Sequence, residues 1–137
     1  MNYLPKKDNR NILIVDDEAD VLDFLSLYLE SLAWSVYAAD TVAHAFEFLE
    51  QFPFFLVITD IAMPSMDGYE FITAVQDRGY PSQIALMTGF GYNPDHTLVK
   101  INRSCRYPCL FKPFNRRKVC ETVSNAFEVY HTAPPAH

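Results

Sequence analysis

From Phe54 to Asp60 the chain reads Phe-Phe-Leu-Val-Ile-Thr-Asp, an unbroken apolar run that ends on a carboxylate. A run this short, rich in β-branched and aromatic side chains and followed by Pro64 and Gly68, predicts a strand buried on both faces rather than a helix. Strands of that kind belong to parallel sheets covered by helices. In an open sheet of this class, ligands bind in the crevice outside the strands' carboxyl ends. Asp60 is therefore expected in that crevice.

The pattern recurs along the chain. Asn11 to Val15 is a second short apolar run, and it too ends on acids, Asp16, Asp17 and Glu18. Two buried parallel strands that end in carboxylates bring those carboxylates to one edge if the strands are neighbours. Between Glu18 and Leu32 the apolar residues Val21, Leu22, Leu25, Tyr28, Leu29 and Leu32 recur at helical spacing. Trp34 to Ala39 predicts a strand, and Asp40-Thr41 caps a helix from Val42 to about Glu50. Met63-Pro64 and Asp67-Gly68 mark a turn before a helix over about Tyr69 to Asp77. Gln83 to Met87 is a fourth strand, ending at Thr88-Gly89. A helix is expected over about Asp95 to Asn102, then a short strand at Cys109 to Phe111. Asn115 caps a last helix that reaches about Tyr130. Strands alternating with helices imply an α/β fold, a doubly wound parallel sheet with helices on both faces. With 137 residues there is room for one domain. It is placed at residues 11–130, between a polar leader, 1–10, and a frayed tail, 131–137.

Charge and composition exclude several function classes. A formal charge of −6 disfavours binding nucleic acid by bulk electrostatics, which needs a positive surface. Arg116-Arg117-Lys118, the only basic run, reads as a solvated helix face. No apolar stretch approaches the ~20 residues that span a bilayer, and no apolar segment of signal-peptide type precedes the first strand. Cys105, Cys109 and Cys120 have neither Cys-x-x-Cys nor zinc-site spacing, which suggests free thiols in a reducing compartment. A cytoplasmic protein that contacts neither membrane nor nucleic acid is expected. His44, His96, His131 and His137 have no mutual spacing that suggests a site, and are read as surface residues.

The strand ends carry the chemistry. Asp16 and Asp17, Asp60, Thr88 and Lys112 all fall at predicted carboxyl ends. Like charges ~4 Å apart repel by roughly 4 kcal/mol per pair at an effective dielectric near 20, so converging carboxylates call for a cation. Mg²⁺ suits such a pocket, since it prefers hard oxygen ligands and completes its shell with water and phosphate oxygens. Lys112 adds a second positive charge and Thr88 a hydroxyl donor. A site of this make-up stabilises a phosphoryl group arriving on a carboxylate oxygen, with Asp60 as the attacking nucleophile.

Val15-Asp16-Asp17-Glu18, Thr59-Asp60 with Met63-Pro64 and Asp67-Gly68, Met87-Thr88-Gly89 and Phe111-Lys112-Pro113-Phe114 together resemble the motifs of the response-regulator receiver domain, in that family's order and spacing from about Asn11 to Tyr130. The resemblance implies a five-stranded sheet of order 2-1-3-4-5. It also implies that Asp60 is the phosphoacceptor and Asp17 a direct Mg²⁺ ligand. Asp16 would act on the metal through water, and the backbone carbonyl of Ala62 would complete the protein ligands. Thr88 becomes the switch hydroxyl and Lys112 the phosphate-binding lysine, with a cis bond before Pro113. A histidine kinase or histidine phosphotransfer protein would supply the phosphoryl group. No output domain follows the last helix, so a stand-alone receiver is expected, signalling by protein contact or phosphorelay. The chain would be no enzyme beyond turnover of its own aspartyl phosphate. Two departures bear on the switch and on hydrolysis. Cys109 stands three residues before Lys112, where receivers usually carry Tyr or Phe, and Ala62 and Phe90 cannot orient water through side-chain hydrogen bonds. A degenerate receiver that binds a partner without phosphorylation, or an aspartate-nucleophile phosphatase, is the alternative. The phosphatase usually needs a second acid where Ala62 stands.

Overall fold

A computed structural model describes residues 9–61, 68–89 and 107–132. Five strands, β1 (Asn11–Val15), β2 (Ser35–Ala39), β3 (Leu56–Asp60), β4 (Gln83–Thr88) and β5 (Cys109–Phe111), pair in parallel in the order β2-β1-β3-β4-β5. Helices α1 (Ala19–Ser31), α2 (Val42–Gln51), α3 (Gly68–Asp77) and α4 (Arg116–Thr132) are described. The helix expected over about Asp95 to Asn102 lies outside the described residues.

The sheet is apolar on both faces because alternate residues of each inner strand point to opposite sides. Leu13 and Val15 of β1, Val57 of β3, and Ile84 and Leu86 of β4 pack with Ala45 and Leu49 of α2 and with Phe71 and Val75 of α3. Their neighbours Ile12, Ile14, Ile58, Ala85 and Met87 pack on the other side with Leu25 and Leu29 of α1 and Val119 and Val123 of α4. Every residue of β3 is buried, which places this strand at the centre of both layers. Aromatic rings fill the lower part of the second layer: Phe55 lies 5.2 Å from both Trp34 and Phe127 between ring centroids.

The helix starts follow the expected chemistry. Thr41 Oγ1 accepts a hydrogen bond from the His44 N–H at 3.0 Å, and Asn115 Oδ1 accepts from Lys118 N–H at 3.1 Å. The chain's last helix departs from the reading made above. It runs on through Thr132, so its end lies inside the stretch assigned to the tail. His131 is half-buried rather than a surface residue. Its Nε2 lies 3.0 Å from the Asn9 carbonyl oxygen, and its ring is 4.3 Å from Phe127. Asn9 and Arg10 are likewise packed onto the fold: Asn9 donates to Tyr130 Oη at 3.3 Å, and the Arg10 guanidinium stacks 4.0 Å from the Trp34 ring.

Two helix ends use one device with different residues. After α3, Gly79 has φ of 81°. Its N–H donates to Gln76 O at 2.9 Å, and Tyr80 N–H reaches back to Val75 O at 3.3 Å. After α1, Ala33 N–H donates to Glu30 O at 3.0 Å and Trp34 N–H to Leu29 O at 3.2 Å, the same pair of bonds. This is the Schellman arrangement, which satisfies carbonyls that the helix end would leave unpaired. Here, however, the left-handed position is filled by Ala33 at φ 73°, where a Cβ costs about 1–2 kcal/mol. Trp34 packs in the same layer as Leu29 and fixes the turn all the same. Ala33→Gly relieves the Cβ strain but adds unfolded-state entropy of roughly 0.5–1 kcal/mol. Chemical denaturation should therefore show a net gain of a few tenths to about 1 kcal/mol, whereas the same change at Ala45, mid-helix and buried, should show a clear loss.

Candidate functional site

The pocket sits where the chain leaves β1, β3, β4 and β5 at their carboxyl ends. Pairing of β1 with β3 sets Val15 beside Thr59, so the residues that follow, Asp16 and Asp60, emerge side by side. Asp16 is fully buried, Asp60 is 8% exposed, and Asp17 is open to solvent. One carboxylate oxygen from each of Asp16, Asp17 and Asp60 lies within 4.8 Å of the others. Thr88, 7% exposed, ends the adjacent strand, and its carbonyl accepts from Lys112 N–H at 2.8 Å. That bond anchors the start of the β5–α4 turn, where the Lys112–Pro113 peptide is cis.

Lys112 ties the acids together. Its Nζ donates to Asp16 Oδ2 at 2.8 Å, to Glu18 Oε1 at 2.8 Å and to Asp60 Oδ2 at 3.4 Å. Burial pulls the ammonium's pKa down. Hydrogen bonds to Asp16 and Glu18, with the charges of Asp60 and Asp16, outweigh that and leave it above the ordinary lysine range. Asp16 is shifted upward, chiefly because burial disfavours its ionised form. Its bonds from Lys112 and the Glu18 N–H oppose the shift, and repulsion from Asp60 adds to it. Among the described residues, four carboxylates, three of them bonded to Lys112, against one ammonium leave the pocket anionic. Its donor set, hard oxygens on three converging side chains, fits a divalent cation such as Mg²⁺.

The first residue of α3 lies against the end of β3. Gly68 N–H donates to Ile61 O at 2.6 Å, and a Cβ at this position would come within 2.6 Å of Asp60 O and 2.9 Å of Ile61 Cα. The backbone of Asp60 and Ile61 passes too close for a larger residue, which is the physical reason that a glycine closes the Asp-Gly turn signal. Ala62 itself lies outside the described residues.

Asp16, Asp17, Asp60 and Lys112 are thus brought into one pocket, with Thr88 ending the strand next to Asp60's. Glu18 is the residue whose part was not foreseen. It ends the first apolar run with Asp16 and Asp17, and its side chain reaches Lys112. Only its position directly after the acid pair hinted at this. Cys109 is half-buried at the start of β5, and burial pushes its thiol up. The Tyr107 hydroxyl beside it accepts from Gln76 Nε2 at 2.6 Å, while Phe90 and Tyr92 lie outside the described residues. Among the described residues, Cys109 and Cys120 are free thiols, and no helix is long and apolar enough to cross a membrane.

Comparison with known proteins matches this geometry. The family model of the response regulator receiver domain matches residues 12–124. The receiver protein CpdR of Brucella abortus is 32% identical over 117 residues, which cover 83% of this chain and 93% of CpdR. The response regulator PilR of Pseudomonas aeruginosa is 28% identical over 117 residues, 85% of this chain but only 26% of PilR. The signal receiver domain of an HD domain-containing protein from Pseudomonas fluorescens Pf-5 superposes with a TM-score of 0.81 at 26% identity, covering 90% of this chain and 98% of that one. The expected strand order is the one observed. With the acid pair, Asp60 and the lysine gathered at one sheet edge, and with the family model spanning most of its length, the chain belongs to the response regulator receiver domain family.

Proposed function

We propose that this receiver takes a phosphoryl group on Asp60 from a histidine kinase or phosphotransfer protein, with Mg²⁺, and signals through a protein partner or by passing the phosphate on. The observation that carries this reading is the Lys112 ammonium held between Asp16 and Asp60 at adjacent strand ends. Mg²⁺ held by Asp17 and Asp60, with Asp16 acting through water and the Ala62 carbonyl completing the set, would supply charge neutralisation for the phosphoryl oxygens. Asp60 is poised to act as the nucleophile: its carboxylate oxygen forms the new bond to phosphorus as the donor's leaving group departs. Lys112 stays protonated and offers its N–H groups to the charge that develops on the transferring group. Thr88 supplies a hydroxyl one strand away.

An apolar groove of about 290 Å³ opens beside Lys112, lined by Val21 and Phe24 of α1 and by Pro113 and Phe114. The Phe24 and Phe114 rings stack with centroids 6.1 Å apart. This face suits the approach of a phosphodonor protein, since it flanks the pocket and is carried by a helix packed on the sheet through Leu25 and Leu29. Ala62 lacks the second acid an aspartate-based phosphatase would use, which favours a signalling receiver over an enzyme. The intact Asp16–Lys112–Asp60 arrangement favours a phosphorylated receiver over a degenerate one.

Incubation with acetyl phosphate and Mg²⁺ should add one phosphoryl group, mapped to Asp60 by intact mass and peptide analysis. Asp60→Asn should abolish it, and Lys112→Ala should slow it without moving it; label persisting on Asp60→Asn would show another acceptor. For the metal, Mg²⁺ at ten times its Kd should stabilise the fold by about 1.4 kcal/mol in denaturation experiments. Asp17→Ala should lose that gain more completely than Asp16→Ala; equal gains in both variants and the wild type would remove the metal site. Beryllofluoride, as a phosphoryl mimic, should shift amide signals from Thr88 outward to β5 and α4. Thr88→Ala should shrink those shifts and Cys109→Ala should leave them nearly intact. Shifts confined to the pocket would make the chain a relay or a silent receiver.

A further inference from the structure

Glu18 occupies the cap position of α1 with extended backbone angles, φ −94° and ψ 114°, yet its side chain makes no capping hydrogen bond. A residue there ordinarily turns its side-chain oxygen back onto the first helical N–H groups. Instead Glu18 Oε1 accepts from Lys112 Nζ at 2.8 Å. Its own N–H donates to Asp16 Oδ1 at 2.9 Å, so the carboxylate that binds Lys112 also fixes where Glu18's side chain begins.

A lysine ammonium has three N–H donors. At Lys112 the two short contacts, both 2.8 Å, go to acids of the β1–α1 junction, and the contact to Asp60 is longer at 3.4 Å. We propose that Glu18 is a positioning residue: it tethers Lys112 on the β1 side of the pocket, and a phosphoryl group arriving on Asp60 must draw the ammonium off it. The competition between Glu18 and the phosphoryl oxygens for Lys112 then sets how fast Asp60 is modified. This role rests on the reading of Asp60 as the phosphoacceptor.

Burial decides which of the two short bonds yields. The Asp16 side chain is fully buried, and without Lys112 it would keep an uncompensated buried charge, which is strongly unfavourable. The Glu18 side chain is 61% exposed, so water replaces the ammonium when it leaves. The exposed bond is the one that can open at low cost. With acetyl phosphate as donor, the phosphorus–oxygen bond to acetate breaks as the bond to the Asp60 oxygen forms. Acetate leaves with the bonding electron pair, and no proton moves from Lys112.

The test compares wild type, Glu18→Gln and Asp20→Asn. Glu18→Gln keeps the shape and an acceptor but removes the charge. Asp20→Asn removes the same charge from the same helix start without touching any of the Lys112 bonds. Two readouts are taken: the rate of acetyl phosphate labelling with Mg²⁺, by intact mass, and the hydrogen exchange of the Lys112 ammonium, by lysine-labelled ¹⁵N–¹H NMR without donor or metal. Glu18→Gln should label about 2- to 5-fold faster, the range expected for releasing one exposed ion pair, and its Lys112 ammonium should exchange faster. Asp20→Asn should match wild type in both. Unchanged ammonium exchange in Glu18→Gln, or equal acceleration by Asp20→Asn, overturns the tether. If the ammonium responds to Glu18→Gln but Asp60 takes no label in any of the proteins, the phosphoacceptor reading has failed and the rate-setting role falls with it. Label on Asp60 with no response of Lys112 overturns the tether alone.

Discussion

Parallel pairing of β1 with β3 is the constraint from which the pocket follows. Parallel strands cannot be joined by a tight turn, so each connection must cross a face of the sheet, and the helices that make the crossings cover both sides. The inner strands then have no wet face and must be apolar up to their carboxyl ends, as β3 is from Leu56 to Ile58. The polar residues that a binding site needs can stand only where the strands end. Asp16 and Asp60 meet because Val15 and Thr59 are in register, and a slip of the pairing would part them.

Bringing acids together at a sheet edge has an electrostatic cost, which Lys112 offsets in part. Its short bonds to Asp16 and Glu18 and the longer one to Asp60 distribute one positive charge over three carboxylates. Asp16 still sits above its ordinary pKa, because the loss of hydration in the fully buried position exceeds what those bonds return. The pocket therefore favours anything that brings positive charge. The backbone supports this arrangement from below. Lys112 is anchored through its N–H to Thr88, and the Asp60–Ile61 backbone is clasped by Gly68, so neither the ammonium nor the Asp60 carboxylate hangs from a free loop.

Much of this was legible in the chain because apolar periodicity and burial are the same fact seen twice. Five short apolar runs became five strands, and the caps at Thr41 and Asn115 fell where short polar side chains precede helical spacing. The departures lie elsewhere. His131 was assigned to a loose tail because Pro134-Pro135 and the polar residues around it end the apolar stripe, but a carbonyl of Asn9 far away in sequence holds it in the helix. Ala33 carries no turn signature, since the conformation glycine would adopt freely is imposed on it by the Schellman bonds and by the packing of Trp34.

By itself the sequence determined the fold class, the number of the strands and their succession along the chain, and which strand ends carry acids, a hydroxyl and a lysine. These depend on hydrophobic pattern and residue chemistry, which are local properties of the chain. Only the tertiary structure decided how the charges are shared. Whether Lys112 bonds Asp16, Glu18 or Asp60, and at what distance, depends on strand register, on the turn after β5, and on which carboxylate is dry and which is wet. Those are relations between segments some ninety residues apart or more for the two short bonds, and no local pattern encodes them.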